Sequence, residues 1–232
     1  MKPTVLSTKT LSNSALEILM AAGFEVTCYD AISITFIDFE APEYIENAIF
    51  SSQNGVDSFF ETTGTNTKIK HCFCVGEKTA KKLEALGQNV VKIAQNATEL
   101  GAFIAKNYKN ETFYMICGSR RRDEIPELLK REHIDLFELK TYKTDLNQRH
   151  FEQKWDKILF FSPSGVESYF LAHHKKNGAS DVIEEIATAA ICIGPTTAAT
   201  AKKYMSTVTI APSTTVESVL AETVKTMPHD ED

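Results

Sequence analysis

The sequence predicts an α/β protein of two similar lobes, each a parallel sheet with helices on both faces, joined by a two-strand connector. Three observations carry that expectation. The first is an internal echo: the stretch Ile49-Phe50-Ser51-Ser52-Gln53-Asn54-Gly55-Val56-Asp57-Ser58-Phe59-Phe60 returns 110 residues later as Leu159-Phe160-Phe161-Ser162-Pro163-Ser164-Gly165-Val166-Glu167-Ser168-Tyr169-Phe170, with six of twelve positions identical. A spacing that long means duplicated domains, because solenoid repeats are much shorter. The second is a further echo, Cys74-Val75-Gly76-Glu77-Lys78-Thr79-Ala80 against Cys192-Ile193-Gly194-Pro195-Thr196-Thr197-Ala198, now spaced by 118 residues. An eight-residue insertion in the second copy, between Phe170 and Cys192, accounts for the change. The third is the alternation of short apolar runs with longer helical patterns, which implies parallel strands covered by helices.

In chain order, Thr4 to Ser7 reads as a strand and Asn13 to Ala22 as a helix, with Leu16, Leu19 and Met20 at helical spacing and Gly23 as its stop. Phe24 to Tyr29 and Ile32 to Phe39 alternate as strands. Pro42 is expected to open a short helix that leads into the echoed strand and helix. Strand 72–75, helix 77–86 stopped by Gly87, strand 90–93 and helix 97–108 complete the first half. Phe113 to Cys117 then repeats the N-terminal strand at the spacing of 110, so that Gly118-Ser119-Arg120 answers to Thr8-Lys9-Thr10. Strands near 134–139 and 140–145, the motif at 158–170 and an extra helix near 179–187 come next. Strand 189–193, helix 195–204, strand 207–210 and helix 214–226 follow, and 228–232 form an acidic tail expected to be disordered.

Composition bounds the function. With 232 residues and 43% of them apolar, each half can bury an ordinary core. The longest candidate for a membrane span, Ile186 to Ala201, is broken by Gly194-Pro195. The chain reaches polar Ser7-Thr8-Lys9 before any signal-peptide core could form, so a cytoplasmic location is expected. A net charge of −6 argues against a nucleic-acid surface. Arg120-Arg121-Arg122 is the dense basic run; Arg121 and Arg122 are expected on the solvated first turn of a helix, with Arg120 nearest the strand end and placed to meet a ligand. The five cysteines lie mostly in apolar strand-like runs and are expected to be reduced and structural. Cys72-x-Cys74 beside His71 lacks a second ligand pair, so no metal is expected. No phosphate-binding glycine loop, nucleophile elbow or paired carboxylate stands at a strand end, and no cofactor is expected.

The turns after the strands are rich in Ser, Thr and Gly: Ser7-Thr8-Lys9, Ser51-Ser52, Gly76 with Thr79, Gly118-Ser119-Arg120, Ser162-Pro163-Ser164-Gly165, Gly194-Pro195-Thr196-Thr197 and Ser213-Thr214-Thr215. Taken singly, such a residue is a helix N-cap worth about 1 kcal/mol. Taken together they suit an anion cradle, because ligands of parallel sheets bind at the carboxyl ends of the strands, where helix amides point outward. Each helix start favours an anion by only about 0.3–1 kcal/mol, so a polyanion would gain most.

Three patterns then resemble uroporphyrinogen-III synthases: Leu139-Lys140-Thr141-Tyr142-Lys143-Thr144 (the family's V-Y-x-T), Ile158 to Val166 (I-x-F-x-S-P-S-G) and Cys192 to Ala198 (I-G-P-T-T-A). Phe50 to Val56 is similar to the family's F-T-S-x-x-G-V with Ser51 for Thr. Where the family commonly reads T-R-P, Thr8 is followed by Lys9 and Thr10, and a lysine cannot clasp a carboxylate bidentately. The resemblance implies one lobe of about 1–34 plus 146–232, a second of about 38–138, and connecting strands at 33–37 and 139–145. It implies a monomer whose substrate is the linear tetrapyrrole hydroxymethylbilane, with eight carboxylates, closed with inversion of the last ring and loss of water. It also implies Tyr142 as the proton donor, with Thr8, Lys9, Ser51, Ser52, Gly76, Thr79, Gly118, Arg120, Ser162, Ser164, Gly165, Gly194, Pro195, Thr196 and Thr197 binding substrate. In so distributed a site, losing any one hydroxyl should cost little. Three alternatives stay open on the residues alone: Tyr142 packing only as a strand residue, a two-lobed protein that binds a small anion without chemistry, and a flavodoxin-like redox domain, which would need a bound flavin.

Overall fold

A computed structural model describes residues 2–63, 67–120, 123–174 and 188–226. The first part of the chain runs β1 (Thr4–Ser7), α1 (Asn13–Ala21), β2 (Glu25–Cys28), β3 (Ile32–Phe36), β4 (Tyr44–Phe50) and α2 (Gln53–Thr63). Then come β5 (Lys68–Val75), α3 (Glu77–Ala85), β6 (Val90–Ala94), α4 (Ala97–Asn107), β7 (Phe113–Gly118), α5 (Glu124–Arg131) and β8 (Leu136–Leu146). The last part is β9 (Lys157–Phe160), α6 (Pro163–His174), β10 (Ala189–Cys192), α7 (Pro195–Ala201), β11 (Val208–Ile210) and α8 (Val216–Lys225). Two compact units result, one of residues 1–33 and 146–232, the other of 34–145.

In the first unit the sheet order is β11-β10-β9-β1-β2, with every neighbouring pair parallel. The N-terminal strand is therefore an interior strand of a sheet otherwise built largely from the C-terminal third of the chain. Asp156 fastens it from below: its Oδ2 accepts the backbone N–H and the hydroxyl of Thr4, and its own N–H donates to Thr4 Oγ1. These donors hold the Asp156 carboxyl below the usual carboxylate range. In the second unit the order is β3-β8-β7-β4-β5-β6. There β7, β4, β5 and β6 run parallel, and β8 runs parallel to β7.

Interior parallel strands must be apolar on both faces, and consecutive residues divide between the two sides. Ile49 joins Phe73, Leu100, Ile104 and Phe113 under α4 and α5, while Phe50 joins Val56, Phe59 and Ile116 under α2 and α3. The duplicate repeats the division: Leu159 packs with Val5, Leu19 and Val219, and Phe160 with Leu6, Val166 and Phe170. Cys72 and Cys74 share the α2/α3 side, and burial pushes their thiols up to about 12 and about 11, far from the thiolate a metal would need.

Several expectations change. No helix starts at Pro42; β4 begins at Tyr44, a central strand whose polar pair Glu46-Asn47 reads in sequence like one face of an amphipathic helix, although Asn47 is fully buried. The strands expected at 134–139 and 140–145 are one, β8, since no Gly or Pro breaks the run. The N-terminal strand is also offset from the duplication. Leu159 lies beside Ser7, but its counterpart Ile49 lies beside Met115, so Thr8 occupies the place of Ile116 rather than of Gly118. Helix α5 starts only at Glu124. Arg121 and Arg122, the extra helix near 179–187 and the acidic tail lie outside the described residues.

The unit of residues 34–145 offers a clear test of packing. Phe73 is fully buried, with ring centroids 5.1 Å from Tyr108 and 5.3 Å from Phe113. Phe73→Ala should cost about 3–5 kcal/mol, and Phe73→Leu distinctly less, measured by urea unfolding.

Candidate active site

Tyr142 stands near the end of β8, and the backbone around it is shaped to receive its ring. The β7–β8 register shifts between Cys117 and Gly118, which sets Gly118 opposite Tyr142. The ring lies directly against Gly118: a Cβ added there would fall 2.3 Å from Tyr142 Cε2 and 2.6 Å from Cζ. No side chain fits that space, so this glycine is required by close approach. The Ser119 N–H donates to the Tyr142 carbonyl at 2.9 Å and locks the turn to the strand.

The phenol end is held from β4 and α2. Tyr142 Oη lies 3.0 Å from Ser52 Oγ, and Ser52 Oγ accepts the Gly55 N–H at 3.1 Å as the cap of α2. Next to Tyr142, the buried Thr141 hydroxyl bonds to Ser58 at 2.6 Å, one turn along the same helix. Gly55 permits the approach of α2 to β7, since an added Cβ would meet the Ile116 carbonyl oxygen at 3.3 Å. Burial raises the Tyr142 phenol above its ordinary value, with the Ser52 hydroxyl and the Gly118 amide opposing the rise. The phenol therefore keeps its proton at neutral pH and can donate it.

The duplicated turn in the other unit has the same cap. Ser162 Oγ accepts the Gly165 N–H at 3.0 Å, and a Cβ at Gly165 would meet Ser162 Oγ at 3.3 Å and Thr8 Oγ1 at 3.5 Å. Thr8 is buried and its hydroxyl donates to the Leu159 carbonyl at 2.7 Å, so its side chain is spent inside the sheet. Lys9 is exposed, and Ser164 is half-buried in the first turn of α6. Gly194 caps α7 without a side-chain bond, followed by Pro195 at the first turn and exposed Thr196. Thr197 and Thr79 are 2% and 4% exposed, so their hydroxyls face the interior more than any ligand.

In the unit of residues 34–145, Ser51 ends the β4 run half-buried, and Gly76 caps α3 with φ of 84°, a conformation that favours glycine. Arg120 lies exposed in the turn after β7. The structure thus brings Ser52, Gly118 and Tyr142 together directly. It gives Gly118 a task the sequence did not suggest, a niche for the ring. Thr141 and Ser58 were missed; the identity of Ser58 with Ser168 in the echo was their signal. Among the described residues there is no cluster of three or more His, Cys, Asp or Glu that could hold a metal, and no helix long and apolar enough to cross a membrane.

Known proteins resemble this chain in sequence and in fold. The family model described as Uroporphyrinogen-III synthase HemD matches residues 14–221. A porphyrin biosynthesis protein HemD of Ruminiclostridium josui is 28% identical over 249 aligned residues, which cover 94% of this chain and 47% of that protein. The chain thus spans about half the length of that curated relative. Among solved structures, uroporphyrinogen-III synthetase of Helicobacter pylori has a TM-score of 0.68 at 16% identity, covering 98% of this chain and all of that one. A mutant uroporphyrinogen III synthase of Thermus thermophilus also has a TM-score of 0.68, at 10% identity, covering 96% of this chain and 98% of that one. At such identities the structural likeness speaks for the fold, and the family model for descent: the chain belongs to the uroporphyrinogen-III synthase family.

Proposed function

We propose that this chain is a uroporphyrinogen-III synthase, a hydro-lyase that cyclises hydroxymethylbilane with inversion of the last ring and loss of water, in porphyrin and heme biosynthesis. The observation that carries the reading is the mounting of Tyr142: a protonated phenol, seated on a glycine that exists to receive its ring and bonded to the cap of a helix. Tyr142 donates its proton to the terminal hydroxyl of the substrate as that group departs as water. The carbon left electron-poor is then attacked by the last ring, and rearrangement through a spiro centre inverts that ring before closure. In the unit that holds Tyr142, the capped start of α2 and the Gly76 turn offer amides and hydroxyls to the substrate carboxylates. This reading takes the protein as a monomer in the cytoplasm that needs neither nucleic acid nor membrane.

The net charge of −6 does not oppose a polyanionic substrate, because salt screens surface charge beyond about 8 Å while amides at a turn act at contact. Holding both ends of a linear tetrapyrrole is the larger entropic task, and it falls to the turns rather than to Tyr142.

The deciding experiment supplies enzymatically generated hydroxymethylbilane, oxidises the products and separates the type I and type III porphyrin isomers. Type III product above the spontaneous type I background is expected; type I alone from folded protein would overturn the reading. Tyr142→Phe should lower kcat by about 10²-fold, the lower end for general acid help. Its stability should change by no more than about 1 kcal/mol, since the ring stays on Gly118 and one hydrogen bond is lost. Gly118→Ala should lower kcat at least as far, because its methyl displaces the Tyr142 ring, at a cost in stability of about 1–3 kcal/mol by urea unfolding.

A further inference from the structure

Ser52 was expected to be one hydroxyl among many around the substrate. The structure singles it out. Its Oγ is the hinge of a short chain of polar groups: the Gly55 amide donates to it at 3.1 Å, and it lies 3.0 Å from the phenol oxygen of Tyr142. A serine hydroxyl carries one proton and two lone pairs. With one lone pair taken by Gly55 N–H, the contact with Tyr142 can run in two directions. If the phenol donates to Ser52, its proton points away from any substrate and the acid is idle. If Ser52 donates to the phenol, the phenol proton is left free to be given.

The second arrangement improves as the reaction proceeds. When Tyr142 releases its proton, its oxygen becomes an anion, and a hydroxyl bond to an anion is shorter and roughly twice as strong as one to a neutral group. The Gly55 amide polarises the Ser52 hydroxyl in the helpful sense, and the N-terminus of α2 (Gln53–Thr63) favours nearby negative charge. Burial of Tyr142 works against the anion, and Ser52 is a side-chain donor within reach to offset it.

We propose that Ser52 is a positioning residue that turns the Tyr142 proton outward and donates its own hydrogen to the phenolate as the substrate C–O bond breaks. The proposal rests on the synthase reading, in which Tyr142 is the acid. The proton balance is closed. The phenol proton joins the departing hydroxyl to form water, and the C–O electron pair leaves with it. The phenolate, held by Ser52, is reprotonated when the ring carbon that forms the closing bond sheds its hydrogen as a proton.

The test separates Ser52's hydroxyl from its capping role. Ser52→Gly removes the hydroxyl but leaves glycine, a serviceable N-cap, and Ser52→Thr restores both. The expected result is a fall in kcat for type III product of about tenfold in Ser52→Gly, with KM changed less than about threefold, and recovery in Ser52→Thr. A second readout does not depend on turnover. Replacing Tyr142 by trifluorotyrosine brings its ionisation into a range where the protein stays folded, and fluorine NMR then follows that phenol alone. Adding Ser52→Gly should move the phenol's titration to higher pH.

An unmoved titration, or a rise in KM with kcat retained, would overturn the assignment of Ser52 while type III product still upholds the synthase. Failure of the parent protein to form any type III product would instead overturn the synthase reading and the catalytic role built on it.

Discussion

The hydrogen bond from the Gly55 amide to Ser52 Oγ is the contact on which the rest of the site depends. It ends β4, starts α2 and fixes a hydroxyl where β8 delivers Tyr142. Its geometry requires α2 to lie close on the sheet, which Gly55 allows by presenting no side chain to the Ile116 carbonyl. A strand interior to a parallel sheet keeps each side chain on its own face only for shifts of two residues at a time, so β4 holds this turn to discrete positions. Rigid placement of the cap and placement of the Tyr142 phenol are therefore one requirement.

The parts of the fold that were legible in the sequence are those written locally. A strand followed by Ser-x-x-Gly-Val marks its own turn, because the serine caps and the glycine lets the helix approach; the second copy made the pattern unmistakable. Helix stops at Gly23 and Gly87 were equally local, and both adopt positive φ. What was not legible depended on neighbours. Glu46 and Asn47 look like the polar face of a helix, yet Asn47 Nδ2 bonds to Glu111 and to the Thr112 carbonyl, partners that only the sheet brings near. The niche at Gly118 was hidden for a similar reason, since it arises from a register shift between β7 and β8. Glycine after a strand is more often a turn than a seat for a ring, and no pattern within either strand distinguishes the two.

The same limit explains the register of the N-terminal strand. The echoed turns keep their spacing because the cap geometry tolerates no insertion. The strand beside them is set by pairing alone, and pairing permits a slip of two residues without exchanging the faces. Thr8 thereby takes the position beside Gly165 that Ile116 takes beside Gly55, and its hydroxyl turns to the Leu159 carbonyl. A residue that looked like a substrate ligand from its place in the chain is, in the fold, a rivet between β1 and β9.

That divergence bears on why one copy holds the Tyr142 phenol. Ser58 and Ser168 are the same residue in the echo and both are fully buried, but Ser58 is bonded to Thr141 whereas the Ser168 hydroxyl has no partner among the described residues. On the corresponding side of the second turn stands Ala31, its methyl 3.9 Å from where a Gly165 Cβ would lie, with no hydroxyl to offer. The copy at Ser52 thus keeps a double tether, Ser58 to Thr141 and Ser52 to Tyr142, which pins two successive residues of β8 to one helix. An unpartnered buried hydroxyl costs about 1–3 kcal/mol, a cost that the Ser58–Thr141 bond spares the first copy. Duplication supplied two equivalent capped turns. The tether to β8 and the room over Gly118 seat the Tyr142 phenol at one of them, while at the other Thr8 joins the neighbouring strands.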